Sequence, residues 1–151
     1  MAETQLTIGR VPYVFITPSV RSQRFNYHAF QVLRAAYTVL FLLAGADKFR
    51  HLLTNWEQEL AAPIAARLPV SIHDFMLMVG VTEIFAGILI AAVPRIGAFF
   101  AAGWLLAVAG NVLFLQDHGD IALRNVGLAL GALALGLLAR SQRGPLLPRG
   151  L

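Results

Sequence analysis

From Phe75 to Ala92 the chain reads FMLMVGVTEIFAGILIAA, an apolar run interrupted by a single carboxylate, Glu83. A run of this character predicts a membrane-crossing helix, because about 20 residues at 1.5 Å each cover a hydrocarbon core of about 30 Å. A lone charge inside such a helix costs about 2.5–3.5 kcal/mol on insertion scales, so it is expected to be paired, protonated or set against a polar cavity. Gly80 and Gly87 lie three residues before it and four after it. All three share one helical face with almost no side-chain bulk, and that face invites close approach of a second helix. The residue types leave two roles open for Glu83: an internal pair that fixes helix packing, or a working proton or ligand site.

The rest of the chain agrees with a membrane setting. Of its 151 residues, 58% are hydrophobic and 13% charged, and the mean hydropathy is +0.68. A soluble domain carries about twice that share of charge. The net charge of +4 comes from arginines gathered at segment ends, not from a basic patch interleaved with aromatics, so nucleic acid is not an expected partner. The absence of cysteine excludes a disulfide framework, thiol–disulfide chemistry and thiolate-ligated clusters or zinc. Any redox role would need a cofactor, a quinone or a partner.

Hydropathy divides the chain into an N-terminal arm (1–26), a transmembrane domain (27–139) and a basic tail (140–151). The predicted fold is all-α, a four-helix integral membrane bundle. The arm holds Arg10, Arg21 and Arg24, with a β-like run Tyr13-Val14-Phe15-Ile16 suited to adding a strand to another subunit. Spans are expected at about 27–49, 72–93, 96–115 and 120–139. Between the first two, Leu53, Trp56, Leu60, Ile64 and Leu68 recur at steps of three and four, as in an interfacial helix with Trp56 at headgroup level. Pro94-Arg95 forces the third span antiparallel beside the second. Four spans put both termini on one side, which then holds Arg10, Arg21, Arg24, Arg95, Arg140, Arg143 and Arg149, against Lys48, Arg50 and Arg67 on the other. Positive-inside logic makes the terminal side cytoplasmic.

Polar residues inside the spans are the candidate site. The first span shows the stripe Arg34, Thr38, Phe41, Gly45, Lys48, expected to face other helices. By depth Arg34 is the expected counterion of Glu83, with snorkelling to the cytoplasmic headgroups as the other reading. The third span carries Asn111 on a face with Gly97, Phe100, Trp104 and Ala107. The fourth is expected to turn Asp120, Arg124, Gly127 and Gly131 inward. Asp47, Lys48, Asn111, Arg124 and Asn125 group toward the outer ends, predicting a central pair and a separate outer network. There Asp120, one turn away, or Asp47 neutralises Arg124. His51 and His73 could pair on the outer side, but two histidines are too few for a metal site and none is predicted. No catalytic residue and no intrinsic cofactor are assigned.

Gly45-Ala-Asp-Lys-Phe49, Glu83-Ile-Phe-Ala-Gly87 and Asp120-Ile-Ala-Leu-Arg-Asn-Val-Gly-Leu-Ala-Leu130 together resemble the DoxX-like four-helix membrane proteins over about residues 30–140. The resemblance carries over Arg34, Lys48, Glu83 and Arg124 as buried positions. Asn125 stands where the family pattern more often has an aspartate, which weakens a proton relay there. DoxX-like proteins are linked with membrane redox systems, including a thiosulfate:quinone oxidoreductase. The resemblance thus implies a small accessory subunit of a redox or respiratory-type complex in the bacterial cytoplasmic membrane, anchoring it and bordering a bound quinone or lipid. Other membrane subunits, docked by the arm, and membrane lipids are the expected partners. The alternative is a stand-alone carrier or enzyme acting on a quinone, lipid or small solute, with Glu83 as proton acceptor.

Overall fold

The computed structural model describes residues 20–115 and 118–142, with side chains from Arg24 onward. The strand-like run at 13–16 and most of the basic tail lie outside them. Four long helices carry the fold: α1 (Val20–Arg50), α3 (Ile72–Ala92), α4 (Pro94–Leu113) and α5 (Gly119–Ser141). Each is long and apolar enough to cross a membrane. α1 packs on α3 and α5, and α4 packs on α3 and α5, so the helices close into a four-membered ring in chain order. The chain is a multi-pass membrane protein, an all-α four-span bundle. The start of α1 and the end of α5 share one side, and the segment between α1 and α3 lies on the other.

α1 begins at Val20, ahead of the boundary hydropathy placed at Tyr27. Its 31 residues rise roughly 46 Å, more than a bilayer core requires. Hydropathy reads only where apolar side chains stop, whereas a helix continues through polar residues such as Ser22 and Gln23 that tolerate it.

The segment between α1 and α3 does not span, as its sequence predicts. The expected non-spanning helical segment is there in two short pieces: a 3-10 turn at Trp56–Glu59 and a single α-turn, α2, at Ala62–Ala65. Asn55 caps the first through its side chain, and Pro63 stands in the first turn of the second. Further on, Ser71 caps α3 by accepting a bond from the Asp74 amide at 3.1 Å and donating to the Asp74 carboxylate at 2.6 Å. Asp74, in the first turn, also places its charge at the positive end of the helix dipole.

Small residues set the helix spacing. A side chain on Gly97 would collide with the backbone of Ile90, so α3 and α4 cross tightly just after the one-residue break at Val93. α4 packs on α5, and the buried residues of the two helices are mostly small, Ala98, Ala101 and Ala102 on α4 and Ala129, Ala132 and Gly136 on α5, with Phe99 resting against Gly136. In lipid, where apolar surface gains little by leaving its solvent, close contact of this kind holds helices together. The outward faces carry large apolar side chains, among them Val81, Phe85 and Ile88 on α3 and Leu123, Leu130 and Leu137 on α5.

A buried ion pair under a pinned loop: the candidate functional site

The face of α3 bearing Gly80, Glu83 and Gly87 lies against α1. Gly45 of α1 faces Gly80 so closely that a β-carbon on Gly45 would sit 2.6 Å from the Gly80 carbonyl oxygen. Gly87 is covered by Leu42. This contact fixes how the charges meet. The Lys48 β-carbon rests beside Gly80, and its side chain reaches to Glu83, one turn deeper.

Glu83 is therefore paired with Lys48, not with Arg34. Lys48 Nζ donates to Glu83 Oε2 at 2.7 Å, with the two side chains 4% and 10% exposed. Trp104 Nε1 approaches the other carboxylate oxygen, Oε1, at 3.5 Å. The lysine ammonium also stands 3.8 Å from the centre of the Trp56 ring, over its negative face. Trp56 turns its N–H to Asp47 Oδ2 at 2.7 Å. Asp47 in turn accepts from the Leu52 and Leu53 amides at 3.0 and 3.1 Å, closing the end of α1. One continuous polar chain thus runs from Trp104 through Glu83, Lys48 and Trp56 to Asp47. The central pair and the outer network expected as separate clusters share Lys48.

Arg34 has a different use. Its Nη2 donates to the carbonyl oxygen of Ala91, in the last turn of α3. The last four carbonyls of a helix lack intrahelical partners, and a cation there also meets the negative end of the helix dipole. Depth along an idealised span misplaces Arg34, because the Gly45–Gly80 contact sets the true register of α1 against α3. The stripe Arg34, Thr38, Phe41, Gly45, Lys48 does face inward as expected: three members are buried and the other two half-buried. The Thr38 hydroxyl is buried without a hydrogen-bond partner. Tyr37, one residue before it, donates to the Leu128 carbonyl at 2.5 Å and joins α1 to α5.

Asn111 acts on the loop, not on another spanning helix. Its side chain accepts from the Ala61 amide at 3.0 Å and donates to the Glu59 carbonyl at 2.7 Å. This two-way clasp pins the loop over the mouth of the bundle. Replacing Asn111 with alanine leaves both backbone groups without their partner, at an expected cost of about 1–3 kcal/mol. Hydrogen exchange across residues 56–66 is expected to speed up before the spanning helices respond.

The fourth span departs most from expectation. Asp120, Arg124 and Gly127 are exposed, and only Gly131 meets another helix, at Tyr37. Arg124 and Asp120 pair with each other at 2.8 Å on the surface, each 70% exposed. Asp47 is not the arginine's counterion. The alanines and Gly136 form the inner face instead, since small side chains suit the tight contact with α4 better than a charged stripe does. Asn125 donates back to the Ile121 carbonyl of its own helix at 3.0 Å. Exposed pairs of this kind contribute little, so Arg124→Ala is expected to leave the melting temperature unchanged. On α4, Gly97 is buried and Trp104 and Asn111 half-buried, whereas Phe100 and Ala107 stay at the surface.

Trp104 and Trp56 are the participants that the sequence did not assign to the site. For Trp104 a signal existed, since it shares a face with Asn111. Trp56 reads as a headgroup anchor until its N–H is seen to meet Asp47.

Fold and site together define an integral membrane four-helix bundle with a lysine–glutamate pair buried between its first two spanning helices. No protein-family model, curated protein or solved structure matches the chain.

Proposed function

We propose that this chain is a small accessory subunit of a membrane-bound redox or respiratory-type complex, with both termini in the cytoplasm of a bacterium and its bundle in the cytoplasmic membrane. The observation that carries this reading is the closure of Glu83. A stand-alone proton carrier would rest on that carboxylate, yet Lys48 neutralises it at 2.7 Å. Trp104 covers its second oxygen, and the pinned loop lies above the pair. Charges so engaged hold helices in place. They are poorly suited to exchanging protons.

The DoxX-like resemblance supports the same reading. Two of its motifs, Gly45 to Phe49 and Glu83 to Gly87, supply Gly45, Lys48, Glu83 and Gly87 of the α1–α3 contact, while Gly80 lies outside them. The large apolar side chains on the outward faces of α3 and α5 suit lipid or the helices of other subunits. A quinone or lipid would meet the chain along those faces, because Glu83, Lys48, Asp47 and Asn111 are engaged inside. The arm of residues 1–26 is the segment proposed to dock a partner.

The test is affinity purification from the native host in mild detergent, with mass spectrometry of copurifying proteins and of extracted quinones and lipids. A stoichiometric set of redox subunits, released when residues 1–24 are deleted while the bundle stays folded, is the expected result. A lone oligomer carrying one specific small molecule, with Glu83→Gln abolishing its turnover but not its assembly, would overturn this reading in favour of the stand-alone carrier or enzyme.

A further inference from the structure

On the loop side of the bundle, three side chains from separate parts of the chain converge. His51 follows the last residue of α1, Glu57 lies in the 3-10 turn and His73 in the first turn of α3. Their ligand atoms all lie within 4.8 Å of one another. His73 Nδ1 and Glu57 Oε1 are 2.9 Å apart. The two imidazoles are stacked at 6.1 Å between centroids and 19° between planes. They line an open recess with Thr54 and Asn55, so an ion has a path in from water.

His51 has a φ of 52°, in the left-handed region where a helix commonly ends on glycine. That backbone aims an imidazole into the recess from the end of α1. Two histidines and one carboxylate are a donor set that holds zinc with an open coordination position, and imidazole also suits copper and nickel. Donors at about 2.0–2.1 Å from an ion stand about 3.4 Å from one another. The three ligand atoms, within 4.8 Å of one another, are already close to that spacing. The Glu57–His73 bond already closes one edge of the triangle.

We propose that His51, Glu57 and His73 bind one divalent transition-metal ion, of which zinc is representative, with water completing the coordination. Because its ligands come from the residue just after α1, from the 3-10 turn and from the first turn of α3, the ion clamps the loop that holds Trp56 over Lys48. Glu57 is the residue after Trp56, so fixing one fixes the other. This assignment is independent of the accessory-subunit reading and stands or falls by itself.

Tag-free full-length protein in detergent micelles, titrated with zinc against a competing chelator, tests it. One zinc per chain is expected, with affinity reduced at least about tenfold in each of His51→Ala, Glu57→Gln and His73→Ala. His118→Ala, on the same side of the bundle, should bind as the parent does. All three ligands are at or near the surface, so matching metal-free melting curves will show that the variants fold. Zinc should also slow hydrogen exchange across residues 52–61 in the parent but not in His73→Ala. Zinc binding that is unsaturable, that survives the triple variant, or that disappears in His118→Ala would overturn the site. Saturable binding with no added protection would overturn the clamp.

Discussion

Replacing Glu83 with leucine is expected to destabilise the bundle by about 3–5 kcal/mol, because it leaves the Lys48 ammonium buried and unpaired. The lysine side chain is only 4% exposed and its β-carbon is wedged beside Gly80, so it cannot easily swing to water. Lys48→Met should cost a similar amount by stranding the carboxylate. The pair itself, however, recovers little beyond the cost of desolvating both ions. Lys48→Met combined with Glu83→Leu should therefore restore stability to near the parent level or above it. Thermal or denaturant unfolding of all four proteins in one detergent, read by circular dichroism, measures the cycle. If the double variant is as unstable as the worse single, the deficit comes from lost packing and not from stranded charge. The double variant has a second use, since a folded bundle without the pair separates a structural role from a chemical one.

Gly45→Ala should be nearly as damaging, although it adds a single methyl group. The new β-carbon would lie 2.6 Å from the Gly80 carbonyl oxygen and 2.9 Å from the Ile84 amide nitrogen. Both are backbone atoms of a helix and cannot rotate aside, so α1 and α3 must separate. The expected loss is at the upper end of the range of about 1–3 kcal/mol for overpacking. The Lys48–Glu83 bond should lengthen with it. Gly103, where an added β-carbon would meet nothing within 4 Å, is the control. There alanine should be neutral or stabilising by about 0.5–1 kcal/mol, because glycine costs a helix backbone entropy. A Gly45→Ala protein that melts with the parent would rule out the close α1–α3 contact.

Much of the architecture was legible in the residues. The apolar runs located α3, α4 and α5 to within about two residues, which is the usual uncertainty of a helix end. The glycine-flanked face of Glu83 announced a close helix neighbour, and the inward stripe of α1 announced which of its faces would supply it. The partner of Glu83 was not legible. Arg34 and Lys48 occupy the same stripe, and only the register set by Gly45 against Gly80 chooses between them. On α5 the stripe Asp120, Arg124, Gly127, Gly131 reaches another helix only at Gly131, because an apolar helix surrounded by lipid has no strong moment to mark its inner face. The assembly of His51, Glu57 and His73 was half visible as two histidines. The third member is brought in by the 3-10 turn at Trp56–Glu59, inside the segment whose periodicity predicts the interfacial helix.

The sequence alone determined that this protein crosses a membrane four times and that a carboxylate lies inside it. Both follow from transfer of side chains between water and lipid, a quantity that sums along the chain without regard to neighbours. The tertiary structure decided which cation neutralises that carboxylate, which way Trp56 points and which residues meet on the loop side. Those outcomes depend on the rotation and sliding of one helix against another. Such motions are set by contacts between residues far apart in sequence, here one glycine against another at the crossing of α1 and α3.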